Sequence, residues 1–216
     1  MKFSYNWLRE LVEGLDTPPR ELALLITLKT AEAEGVEAHG NDYVIEIDNK
    51  SLTHRPDLWG HHGMAREVAA IFGRPLLDPV KHVEFRGEEP LHVRIDSHAL
   101  CPRYSALMFE NVTVKPSPLW LAQRLEAVGL NPINNIVDVT NFVLAEIAQP
   151  MHAFDAAKLQ GEEIIVRSAR TGETVKALNE ESYTLDPSNL VIADPGGPVA
   201  IAGIIGGADS AISDST

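Results

Sequence analysis

The sequence is poor in the residues that brace small folds or grip polyanions. Of 216 residues only one is cysteine, Cys101, so no internal disulfide and no paired-cysteine zinc site can form. Aromatic residues make up 6%, and 18 Lys and Arg stand against 31 Asp and Glu, a formal net charge of −13. A domain that holds nucleic acid unaided carries a basic face. A chain this acidic must make any RNA contact locally or with another chain's help. No apolar run approaches the roughly 18–20 residues of a membrane-crossing helix, and Met1-Lys2-Phe3-Ser4-Tyr5-Asn6 leads into no secretory apolar stretch. A cytoplasmic protein without membrane association is expected. The hydrophobic fraction of 44% and charged fraction of 23% exclude disordered and collagen-like classes. A chain of this length buries roughly 70% of its unfolded surface, enough for a core without covalent staples.

The pattern up to residue 82 predicts a small α+β unit. Trp7, Leu8, Leu11, Val12 and Leu15 recur at helical spacing up to Gly14. Thr17 reads as an N-cap with Pro18 at the first helical position, and Leu22, Leu25 and Ile26 carry that helix toward Gly35. Tyr43, Ile45 and Ile47 alternate with Val44, Glu46 and Asp48 as in a strand with one partly polar face, and Ala65, Val68, Ala69 and Phe72 mark a further helix closed by Gly73. Between them, Ser51 to His62 contains His54, Asp57, His61 and His62. The spacing does not match a helical zinc motif. A surface loop is expected, with Arg55 and Asp57 pairing around Pro56; a metal-dependent hydrolase using these histidines is the most distant reading.

From residue 83 a second domain is expected, running to 216. Leu91–Asp96 and Tyr104–Val114 read as strands, and Ser117-Pro118 opens a helix that Gly129 closes. Ile136, Val139, Phe142, Val143 and Ile147 form one apolar helical stripe that must end before Gln149-Pro150. Beyond Asp155, short runs of period two are separated by turn residues such as Asn179-Glu180 and Asp194-Pro195-Gly196-Gly197. The expected fold class is α+β, the second domain being helices packed on a β-meander.

Three features could carry chemistry. Asn134, Asn135, Asp138, Thr140 and Asn141 crowd a helix that such residues disfavour, although each could instead cap or bond nearby backbone. His152, just past the helix break, is placed where an imidazole can shuttle protons at neutral pH. In Ala202-Gly203-Ile204-Ile205-Gly206-Gly207, the glycines permit close backbone approach to a ligand. That run is no dinucleotide fingerprint and no P-loop, for it lacks both the spacing and the lysine.

Together, Asn134-Asn135-Ile136-Val137-Asp138-Val139-Thr140-Asn141-Phe142, Gln149-Pro150-Met151-His152-Ala153-Phe154-Asp155 and Ala202 to Gly207 closely resemble the B3/B4 domain of the bacterial phenylalanyl-tRNA synthetase β subunit. Met1 to Leu8, His54-Arg55-Pro56-Asp57 and Gly63 to Ala70 resemble the B1-like part of that family. The resemblance spans essentially the whole chain. It implies a subunit that joins an α subunit in an α2β2 assembly for aminoacylation of tRNA(Phe), and an editing module that hydrolyses mischarged Tyr-tRNA(Phe). By the resemblance, His152 is the candidate catalytic residue, and Asn141, Gly206, Gly207 and Asn131 are candidate substrate-binding residues. Asn131 stands where many relatives carry a basic residue. No cofactor is expected in this chain; ATP and Mg²⁺ would serve the parent ligase elsewhere. Relatives insert an oligonucleotide-binding domain near Gly40-Asn41, absent here, and carry beyond Thr216 a glutamate that helps bind the tyrosyl group. A C-terminally incomplete editing domain is therefore expected, inactive alone in aminoacylation. The competing expectation is a non-catalytic RNA- and protein-binding scaffold.

Overall fold

Trp7, Leu8 and Leu11 share one helical face and are all buried, and that face organises the first of two units. In the computed structural model, which describes residues 1–80, 82–84 and 91–216, unit 1 is Met1–Glu84 with Pro116–Met151. Unit 2 is the described part of Phe85–Lys115 with His152–Thr216.

Unit 1 begins with β1 (Lys2–Ser4) and α1 (Tyr5–Leu11), joined by Ser4, whose hydroxyl accepts the Trp7 amide at 3.0 Å as an N-cap. Next come α2 (Pro19–Lys29), β2 (Ala33–His39) and β3 (Asp42–Ile47), and the three strands form an antiparallel sheet of order β1-β3-β2. Two details differ from the sequence expectation. Pro18 itself is the cap of α2 and makes no side-chain bond there, while Pro19 lies in the first turn; the second proline has no amide to satisfy, so the helix starts one residue later. The helix also stops at Lys29, and Gly35 sits in β2 at a shift of register between Ala33 and Gly35. Gly40 and Asn41 make a two-residue turn between the paired His39 and Asp42, with Gly40 at φ 59°. The unit continues through α3 (His61–Phe72) and the later helices α4 (Leu119–Ala127) and α5 (Asn135–Ile147).

The boundary expected at residue 83 would separate α4 and α5 from this unit, but their side chains join its core. Phe142 and Ala145 pack on it, Phe142 stacks on Trp7 at 4.9 Å, and the Arg124 guanidinium lies 4.8 Å from the Trp7 ring while pairing with Glu10. Burying an indole against a second ring and a cation draws Phe142 onto the unit 1 core, although Val139 and Ile147 of the same stripe stay exposed. Ser117, expected as a cap of α4, instead donates to Asp138, whose fully buried carboxylate also accepts the Ile133 amide at 2.9 Å. A buried charge needs such donors, and that requirement outweighs the cap.

Unit 2 holds β4 (His92–Ile95), β5 (Glu163–Ser168), the hairpin β6 (Thr174–Lys176) and β7 (Ser182–Thr184), β8 (Leu190–Asp194), β9 (Gly197–Ile201) and β10 (Ile205–Gly206). Its larger sheet has the order β10-β9-β8-β5-β4. The β8-β9-β10 part is the expected meander, whereas β4 adds in parallel to β5. Ile164 and Val166 enter one core cluster and Ile165 the other. That two-sided burial explains why β5 reads as an unbroken apolar run. The strand expected over Tyr104–Val114 does not form: Asn111 takes φ 57°, and Phe109 is 72% exposed. A left-handed residue interrupts the alternation a ladder requires. With these corrections the fold is α+β.

Candidate functional site

The Gly-rich run and the break after α5 meet in unit 2 at His152. The imidazole lies on β10. A Cβ added to Gly206 would sit 2.2 Å from His152 Cε1, 2.6 Å from Nε2 and 3.1 Å from Leu178 Cδ1. The need for glycine here is space for the ring. Phe154 meets the imidazole edge-to-face at 4.6 Å and 68°. The Gly206 carbonyl accepts the Leu178 amide at 3.0 Å, which ties the β6–β7 hairpin to the floor of the site. His152 remains exposed on its other side, and no described residue hydrogen-bonds either ring nitrogen. Partial burial lowers its pKa. The ring is therefore neutral at pH 7 and able to accept a proton.

Gly207 is placed differently from expectation. Its amide donates to the Val199 carbonyl at 2.8 Å, and the next amide, of Ala208, donates to Lys176 at 2.8 Å. Gly207 therefore has no amide to offer a ligand. The close approach at Gly207 is to backbone, since a Cβ there would lie 2.6 Å from the Val199 oxygen.

Asn141 and Asn131 belong to unit 1. Asn141 is half-buried in the middle of α5, and Asn131 is exposed after α4. Of the other polar residues on this stretch, Asn134 is the N-cap of α5, accepting the Ile136 and Val137 amides at 3.1 and 3.0 Å. Thr140 bonds back to the Val137 carbonyl at 2.7 Å, and Asp138 holds the turn before the helix. These three are structural, and Asn135 and Asn141, both half-buried on α5, make up the rest of the cluster.

The histidine-rich loop resolves into two parts. Arg55 grips Asp57 through two bonds of 2.8 Å and reaches Glu67 at 2.8 Å, and Arg66 also contacts Asp57. These cations hold the Asp57 carboxyl below the usual carboxylate range. His61, expected on the surface, is fully buried: Nε2 accepts the Ser4 amide at 2.9 Å and Nδ1 donates to the Ala145 carbonyl at 2.7 Å. It stacks on Trp7 at 4.0 Å. Among the described residues no three His, Cys, Asp or Glu side chains converge as a metal site requires, and no helix is long and apolar enough to cross a membrane. Sequence reasoning missed Phe154 and Leu178 at His152; their signals were apolar residues beside the His motif and beside the Asn179-Glu180 turn.

The B3/4 domain family model matches residues 100–216, more than half of the sequence, and the chain belongs to that family. It is 46% identical to the phenylalanine–tRNA ligase beta subunit of Solibacter usitatus over 316 aligned residues, covering all of this chain and 41% of the relative. It is 42% identical to the corresponding beta subunit of Oceanobacillus iheyensis, over 96% of this chain and 25% of the relative. The chain thus spans less than half the length of these relatives. In fold it is similar to the crystal structure of an N-terminal fragment of the phenylalanyl-tRNA synthetase beta-subunit from Pyrococcus horikoshii, with a TM-score of 0.53 at 17% identity, over all of this chain and 65% of that one.

Proposed function

We propose that the chain serves in translation as part of a phenylalanine–tRNA ligase β subunit, and that the pocket at His152 edits tRNA(Phe) mischarged with tyrosine. The observation that carries this reading is the neutral imidazole laid against Gly206, with one face open and both nitrogens unengaged by described residues. In the reaction, a water attacks the carbonyl carbon of the ester joining tyrosine to the terminal ribose. The C–O bond to the ribose breaks, the sugar hydroxyl leaves with a proton, and tyrosine is released as its carboxylate. His152 accepts a hydrogen bond from the water and takes up its proton. Gly206 leaves the room that the His152 ring occupies. A site that pairs the phenol hydroxyl rejects phenylalanine, because its polar groups would otherwise be left unmet.

The partners in this reading are the ligase α subunit and tRNA(Phe), met in the cytoplasm. ATP and Mg²⁺ act in aminoacylation outside this chain, and the charge of −13 suits a pocket that receives only the tRNA end. The engagement of the Gly207 and Ala208 amides favours a second reading, a non-catalytic scaffold, because it removes ready donors for an oxyanion. Deacylation of Tyr-tRNA(Phe) by the assembled synthetase separates the two. His152→Ala should abolish hydrolysis while phenylalanylation persists; hydrolysis at the wild-type rate would rule out a central role for His152, and absence of hydrolysis in the wild type would leave the scaffold.

A further inference from the structure

A histidine that takes up protons is ordinarily oriented by a hydrogen bond to the ring nitrogen that does not handle the proton. His152 has no such bond among the described residues, so packing alone places its ring. The Cε1 and Nε2 atoms occupy the space that a Cβ at Gly206 would need, Leu178 flanks that contact, and Phe154 meets the imidazole edge-to-face at 4.6 Å. Leu178 is itself 48% exposed and gives the ring little rigid support. Phe154 is anchored. Its backbone bridges to Ala211, and the next amide, of Asp155, donates to the Ser210 carbonyl at 3.0 Å. Its side chain packs on the cluster of Ile164, Val166, Ile192 and Ala200 from β5, β8 and β9. Ser210 is buried in turn, its hydroxyl donating to the Val199 carbonyl of β9 at 3.2 Å. The larger sheet of unit 2 therefore holds Phe154, and Phe154 touches the imidazole.

We propose that Phe154 is a positioning residue for His152, holding the imidazole on Gly206 in place of the hydrogen bond that usually orients such a ring. The proposal rests on the editing reading for the use of the imidazole, while the contact itself stands on geometry. A histidine turns about two bonds, Cα–Cβ and Cβ–Cγ, and here only its apolar neighbours oppose those turns. To leave Gly206 the ring must give up its contact with Phe154, whose own position is set by the sheet. An edge-to-face pair is strong enough to change the ratio of seated to unseated rings about fivefold. An unseated ring no longer meets the attacking water in the geometry that proton transfer requires. Phe154 acts through His152 and not on the substrate, so the kinetic signature is in kcat.

Two measurements test this. In the chain of 216 residues, the nuclear Overhauser effect between the His152 Hε1 and the Gly206 Hα protons reads the seat directly. In the assembled synthetase, Tyr-tRNA(Phe) deacylation reads its use. Phe154→Leu removes the ring while keeping most of the apolar bulk, and should weaken the Overhauser effect and lower kcat about two- to fivefold, with KM and phenylalanylation unchanged. Phe154→Tyr keeps the ring and should retain both the Overhauser effect and kcat. An unchanged Overhauser effect or an unchanged kcat in folded Phe154→Leu would overturn the proposal, as would an effect confined to KM or an equal loss of kcat in Phe154→Tyr. If Phe154→Leu does not fold, Phe154→Met decides by the same criteria. If the wild type hydrolyses no Tyr-tRNA(Phe), the editing reading fails on its own, and the Overhauser effect alone decides whether Phe154 seats the ring; an unchanged effect would refute that too.

Discussion

Acidification should destabilise unit 1 through His61 by an amount that can be worked out. The ring is fully buried with both nitrogens engaged, and burial pushes its pKa down from 6.5 to about 4, against a partial upward pull from the Ala145 carbonyl. In the unfolded chain the same imidazole titrates near its ordinary value. Above that value neither state holds the extra proton and the stability is intact. As pH falls from 6.5 toward 4 the unfolded state takes a proton that the folded state refuses, so unfolding becomes progressively easier; below the folded value the loss levels off. At 1.36 kcal/mol per unit the total is about 3 kcal/mol, a large share of the stability of a unit this size. The chain's three tryptophans, Trp7, Trp59 and Trp120, all lie in unit 1, so tryptophan fluorescence during urea unfolding reports that unit alone. The experiment compares wild type with His61→Phe over this pH range. Other carboxylates titrate equally in both proteins and cancel in the difference. The wild type should lose about 3 kcal/mol more than the variant; parallel pH profiles would refute a buried neutral His61.

Other expectations follow from the same contacts. Gly206→Ala places a methyl group where the His152 ring now lies, and should lower Tyr-tRNA(Phe) hydrolysis by roughly 10²-fold, the scale of losing a positioned proton acceptor, without changing the melting of unit 2 by circular dichroism. Arg167, nearly buried, grips Glu173 through two bonds of 2.8 Å; Arg167→Ala should cost unit 2 about 3 kcal/mol in urea unfolding, because it leaves a carboxylate without its partner. Ala148→Gly should raise the stability of unit 1 by up to about 1 kcal/mol, read as a higher midpoint, since glycine accepts the left-handed conformation that alanine resists.

Much of the fold could be read from periodicity because the burial is one-sided there. The stripes of α1 and α3 follow directly from which face each element buries, whereas α5 leaves Val139 and Ile147 exposed and β3 exposes Tyr43 while burying Val44 beside Ile45. What could not be read depended on partners far away in sequence. Nothing local to Ser117 announces that Asp138 will claim its hydroxyl, and nothing near Phe142 says that its ring will lie on Trp7 and draw α5 into unit 1. The run Tyr104–Val114 has the composition of a strand, but composition supplies no neighbour for the ladder and Asn111 turns the chain. At the candidate site, the His152 and Gly206 motifs were visible as residues, while their contact was not: it requires β10 to return beneath the imidazole. His61 was hidden for the opposite reason. A histidine in a polar loop reads as exposed, and only the fold reveals an amide and a carbonyl waiting on either side of its ring.

The turn at Gly40 and Asn41 closes a hairpin whose flanking residues, His39 and Asp42, remain in register. Paired residues at such a point stand about 5 Å apart, the separation that a folded module with adjacent termini can bridge without disturbing either strand. The hairpin tip is thus a splice point on the sheet, but not an isolated one: Asp42 accepts the Ser4 hydroxyl and the Asn6 amide, and Ser4 in turn donates its amide to His61, so a module spliced there would be felt at the buried imidazole.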